Sequence, residues 1–158
     1  MASDHRYSID AEAGYYFIAG SDAALPVTQY HEILLNISKN LFKQGQYSFA
    51  IVICHTACEI LVERIITKAF DDKKAMNLRK FIVSNSTSYN LGAKTIKSLY
   101  TALTGDNEIQ KQSFWKEFKS SVDRRNDIVH RGKMFQQGDA EKSLKAASDL
   151  ITYLDRKF

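Results

Sequence analysis

The sequence predicts an all-α fold, a bundle of four main helices with short extra helices, and three observations carry that expectation. Only 1 Pro and 7 Gly occur in 158 residues, and helix interiors tolerate neither well. Apolar residues recur at spacings of three and four through most of the chain after residue 27, the period of a helix with one buried face. There is no internal repeat and no convincing strand.

The elements follow in order. Residues 1–27 show no sustained period and are broken by Gly14, Gly20 and Pro26, so they are expected to form an N-terminal arm, with residues 28–158 as a single domain. Thr28 is a candidate N-cap for a helix carrying Tyr30, Ile33, Leu34, Ile37, Leu41 and Phe42 and ending near Gly45. Residues 46–70 are apolar around most of a helical circumference, which marks the central element of a bundle. Their polar positions, Ser48, His55, Glu59 and Glu63, collect on one stripe. A short helix over 75–83 gives way to a polar loop over 84–88, and a further helix over 91–103 stops at Gly105. Residues 109–130 form the next helix, with Gly132 as its candidate C-cap, 131–138 a loop, and Asp139 is the expected N-cap of the last helix.

Length and charge bound the function. A chain of 158 residues suits one domain and buries about two-thirds of its unfolded surface. With 9 Phe and 8 Tyr it is too apolar for disorder, and no apolar run approaches the roughly 18 residues of a membrane span. The polar N-terminus lacks the apolar core of a signal peptide, so a cytoplasmic protein with two free thiols is expected. Net charge is +4, yet residues 1–27 carry −3, leaving +7 on the remainder. A basic body favours anionic partners such as nucleic acid, though this bias is mild.

The informative run is Asp123-Arg124-Arg125-Asn126-Asp127-Ile128-Val129-His130-Arg131-Gly132. On a helix with Phe114 at zero, Phe118, Val122 and Val129 fall at about 40°, 80° and 60°, and Arg125 at about 20°, inside the apolar stripe. A buried guanidinium needs a partner or a cleft that requires a permanent cation. Glu59 or Glu63, on the central helix, is the expected partner. Asn126 and His130 share a face at i and i+4, whereas Arg125 and His130 lie about 140° apart. The constellation would be most compact if two copies of this helix met across a two-fold axis.

Arg-Asn-Asp-Ile-Val-His in the penultimate helix of a small α-bundle resembles the HEPN superfamily (higher eukaryotes and prokaryotes nucleotide-binding). The pair Glu59 and Glu63 on a long apolar helix is similar to the helix packed beside that motif. The resemblance covers roughly residues 28–158 and implies a metal-independent endoribonuclease with no cofactor. It makes Arg125 and His130 catalytic, with Asn126 as their support and Glu59 and Glu63 behind them. Cleavage would proceed by 2′-hydroxyl attack and leave a 2′,3′-cyclic phosphate and a 5′-hydroxyl. The chemistry suits the residues: His titrates near neutrality and can move the proton, and the Arg fork fits phosphate oxygens. Arg124, Arg131 and Lys133 would hold flanking phosphates of the RNA. The implied partners are RNA, a second copy meeting through the motif helix, and an antitoxin or regulatory protein of a toxin–antitoxin or antiviral defence system.

Other readings stand beside this one. Arg125 can serve as a structural ion pair with Glu59, and His130 as a histidine complementing the helix C-terminus. The whole can be a non-catalytic HEPN-type module binding RNA or protein, or a structural dimerising bundle. Cys54, His55 and Cys58 lack a second ligand pair at zinc spacing, so buried free cysteines and no metal are expected.

Overall fold

A computed structural model describes residues 29–75, 82 and 88–158, together with two short strands nearer the N-terminus. Among the described residues five α-helices are bounded: α1 (Tyr30–Lys43), α2 (Tyr47–Asp72), α3 (Lys94–Thr104), α4 (Trp115–Arg131) and α5 (Gln137–Lys157). The all-α expectation holds for the body of the chain. None of the described helices is long and apolar enough to cross a membrane.

The centre is α2. It contacts each of the other four helices, and its buried residues run around its circumference, from Ala50, Ile51 and Cys54 to Ala57, Leu61, Val62 and Ile66. Small residues let α5 approach closely. Ala50, Cys54, Ala57 and Cys58 are buried on α2, and Ala140, Ser143, Ala146 and Ala147 on α5. Cys58 Sγ lies 3.8 Å from the Ala147 carbonyl oxygen. Both cysteines are free and buried, as expected. Burial pushes the Cys54 thiol up to about 12 and that of Cys58 well above its ordinary range, which leaves both unreactive.

Several boundaries differ from expectation, each for a physical reason. The stretch 109–130 is not one helix. Ile109–Lys111 is a 3₁₀ turn and α4 begins at Trp115. Ile109 and Phe118 are both buried, yet on a continuous helix they would point about 180° apart, so the chain breaks between them. Asp139 is not the N-cap of the last helix. Gln136 holds that position, and Asp139 sits in the first turn with its carboxylate turned to Arg124. Gln29 occupies the cap position of α1, while Thr28 and most of the stretch 75–88 lie outside the described residues. Gly45, Gly105 and Gly132 follow helix ends in the left-handed region, and the last two are the expected caps.

The arm contains a strand pair that the sequence reading did not anticipate. Ser8–Asp10 pairs antiparallel with Tyr15–Phe17, with Ile9 opposite Tyr16. Three residues per strand are too few to show a period, although Tyr and Phe suit a strand.

A buried carboxylate fastens the end of the bundle. Asp106, just after the Gly105 cap, accepts hydrogen bonds from the hydroxyls of Tyr100 (2.7 Å) and Tyr153 (2.9 and 3.0 Å), from Lys157 Nζ (2.6 Å) and from the Glu108 N–H (3.0 Å). It thus joins α3, the following loop and the last turns of α5. Burial works to raise its carboxyl, but the bonds from Lys157, Tyr100 and Tyr153 outweigh burial and hold it below the ordinary value. Tyr100 is pushed up, by burial first and then by its bond to Asp106.

A depressed folded-state carboxyl stabilises above the ordinary carboxylate range, about pH 4, and that contribution is lost as pH falls through the lower folded value. Asp106→Asn should therefore cost about 2–4 kcal/mol at neutral pH. It should also flatten the acid limb of a stability–pH profile measured by urea unfolding. An unchanged acid limb would show that Asp106 carries no such linkage.

Candidate functional site

The motif run occupies the C-terminal half of α4. The helix persists through Arg131 and is closed by Gly132, at φ +65°. The Gly132 N–H bonds to the Ile128 carbonyl (3.0 Å) and the Lys133 N–H to that of Asp127 (3.2 Å). The loop that follows is pinned to α2, where Ser48 Oγ accepts the Phe135 N–H at 2.9 Å.

The polar stripe of α2 splits in two. Ser48 and His55 are buried, Glu59 is half-buried and Glu63 is exposed. The imidazole of His55 stacks on Phe118 of α4, with ring centroids 5.2 Å apart. Burial pushes His55 down to about 3, and the positive charge of Arg125 adds to that. A neutral imidazole therefore underlies the motif helix at any working pH. His55 Nδ1 and Nε2, Ser121 Oγ and Arg125 Nε are buried polar atoms without a hydrogen-bond partner among the described residues. Phe118, Ser121 and Arg125 recur at helical spacing on α4, so this strip faces the His55 side of α2.

Arg125 is half-buried, as its place in the apolar stripe requires, but the expected glutamate partner is not there. Its Nη1 donates to Asn126 Oδ1 at 3.3 Å. The Glu59 carboxylate instead accepts the Ser88 hydroxyl at 2.9 Å, and Glu63 is turned to solvent. Among the described residues neither glutamate forms an ion pair with Arg125. Helical period marks the half-buried face that Arg125 occupies, whereas Ser88 comes from a polar loop without period and is not legible in that way.

Arg124 has a different role from the one expected. Its side chain is only 14% exposed, and it bonds to Glu117 (2.7 Å), Asp139 (3.4 Å) and Ser143 Oγ (3.2 Å). It is a clamp between α4 and α5 rather than an open phosphate contact. Arg131 and Lys133 are exposed, and both meet the Asp127 carboxylate, at 2.7 and 3.4 Å. Lys133 also lies 4.9 Å from the centre of the Phe135 ring. These two remain accessible to an anion.

His130 is exposed on the last turn, and no hydrogen bond or ion pair involves its side chain among the described residues. One chain thus presents Arg125 half sunk against α2 and His130 on the solvent side, as the angle of about 140° between them requires. Val129, expected on the buried line, is 49% exposed, because the last turn of α4 runs past the core. Phe49 at 60% and Met134 at 70% are further exposed apolar side chains, and the Ser48–Phe135 bond brings their two segments together.

No family model, curated protein or solved structure matches this chain. The reading of the site rests on its own geometry and on the motif.

Two double-mutant cycles measured by urea unfolding separate the two arginines. Arg124→Ala with Asp139→Ala should show a coupling of about 1 kcal/mol, discounted for the half-open carboxylate. Arg125→Ala with Glu59→Ala should be additive within about 0.5 kcal/mol; a larger coupling would restore the expected ion pair.

Proposed function

We propose that this chain is a metal-independent endoribonuclease of HEPN type, in which two copies bring their α4 ends together around RNA. The observation that supports this reading most is the division of labour at that end: Arg125 is held by Asn126 over a neutral floor, while His130 is left free. Arg125 presents its charge to a phosphate with little reorganisation, the property that makes a fixed cation effective on a developing anion. His130, open to solvent, is able to take and return a proton.

In the reaction, the 2′-oxygen forms a new bond to phosphorus and the bond from phosphorus to the 5′-oxygen breaks. The His130 imidazole of one copy, facing Arg125 of the other, takes the 2′-hydroxyl proton and, as imidazolium, returns it to the departing 5′-oxygen. The products are a 2′,3′-cyclic phosphate and a 5′-hydroxyl. Arg131 and Lys133 steer flanking phosphates, which makes binding salt-dependent. Because one chain turns Arg125 and His130 apart, the composite site draws on both copies. The exposed Phe49, Val129 and Met134 supply apolar surface near the motif for that pairing. A cytoplasmic toxin or antiviral effector, restrained by an antitoxin or regulatory protein, is the setting that fits such an activity.

The same separation also favours a second reading, a non-catalytic module that binds RNA or protein through this end. The test is incubation of mixed RNA with wild type and His130→Ala in EDTA, with fragment ends analysed. Wild type should cleave and leave cyclic phosphates. His130→Ala should lose at least about 10²-fold in rate with an unchanged melting temperature, since the side chain is exposed. RNA binding without cleavage by either protein would favour the second reading.

A further inference from the structure

At the far end of the bundle lies a cluster that the proposed ribonuclease chemistry does not use. His31 and Glu32 stand in the first turn of α1, and Asp155 in the last turn of α5. One ligand atom from each falls within 4.8 Å of the other two. His31 is 1% exposed, an unusual place for an imidazole, and its Nε2 is buried without a hydrogen-bond partner among the described residues. That nitrogen points toward Asp155 Oδ1, 3.5 Å away.

The distance discriminates between two explanations. A charge-assisted hydrogen bond from imidazole to carboxylate would close to about 2.8 Å. Two ligand atoms on one tetrahedral zinc ion, each about 2.1 Å from the metal, stand roughly 3.4 Å apart. The His31–Asp155 spacing fits a pair of co-ligands, and the Glu32 carboxylate lies within 4.8 Å of both. One neutral imidazole and two carboxylates also carry −2, which balances a divalent cation, and the donor set suits zinc and its neighbours better than calcium.

We propose that His31 Nε2, Glu32 and Asp155 hold a zinc-class divalent ion that ties the start of α1 to the end of α5. Three protein ligands leave a fourth position open. Glu32 and Asp155 also line a cavity of about 360 Å³, whose wall includes Gln29, Arg64, Lys68 and Phe158. With two of the three ligands on that wall, the cationic groups beside them would suit a hydroxide or a small anion as fourth ligand. The site stands apart from the motif: from Asp139, beside Arg124, to Asp155 is about 24 Å along α5. Removal of the ion should therefore leave RNA cleavage untouched, and failure of either proposal says nothing against the other.

The test uses full-length protein without a histidine tag, treated with chelator and titrated with Zn²⁺ by calorimetry and with Co²⁺ by visible absorption. Wild type should bind one equivalent, raise its melting temperature, and give the intense absorption of four-coordinate cobalt. His31→Ala removes a buried side chain and so confounds binding with folding; Glu32→Ala and Asp155→Ala, both at exposed positions, carry the assignment. Each should weaken binding at least about 100-fold, while Glu141→Ala on the exposed face of α5 should not. Absence of one-equivalent binding, an octahedral aquo-type cobalt spectrum, or wild-type binding by either carboxylate variant would overturn the site.

Discussion

Covering α2 is the constraint on which the remaining structure depends. A helix of 26 residues that is apolar on most of its surface is stable only if other helices enclose it, and α1, α3, α4 and α5 do so. Enclosure also buries the polar residues that share the helix. Ser48 is used to hold the loop after α4. His55 is kept neutral and stacked on Phe118. These contacts set where α4 lies and so where Arg125 meets α2. Packing comes first, and the geometry of the motif follows from it.

The two ends of the bundle are finished by different means. At one end, Asp106 collects Tyr100, Tyr153 and Lys157, which closes α3 and α5 around a buried charge. At the other, Arg124 draws Glu117 and Asp139 together and fixes the start of α5 against α4. Both are ionic networks between helices distant in sequence. A half-buried ion network specifies alignment more than it stabilises, because desolvation offsets most of the attraction. Arg125 differs from both. Its charge is left without a carboxylate partner among the described residues, a state that costs stability and suits a group waiting for an anion.

Helical period made the long elements legible, and with them the central position of α2 and the half-buried place of Arg125. Local chemistry marked the caps at Gly105 and Gly132. What stayed hidden depends on long-range pairing. Nothing around Asp106 announces that Tyr153 and Lys157 will reach it. Nothing in the polar run near Ser88 shows that it will occupy Glu59. Asp139 was recognisable as a residue of a helix start, but a carboxylate that caps and one that meets an arginine look alike in sequence. The break before Trp115 is a packing decision, forced by the burial of both Ile109 and Phe118. His31 reads as one polar residue on an amphipathic helix until Asp155 is set beside it.

The functional account rests on two residues turned apart in one chain and completed across a pair. Complementation tests it most directly. Arg125→Ala and His130→Ala proteins are each assayed for RNA cleavage, then mixed under conditions that exchange subunits and assayed again. Each variant should be silent alone, and the mixture should regain part of the wild-type activity, because a mixed pair holds one intact Arg125 facing one intact His130. A mixture as silent as its components, with exchange verified, would contradict a site shared between two copies.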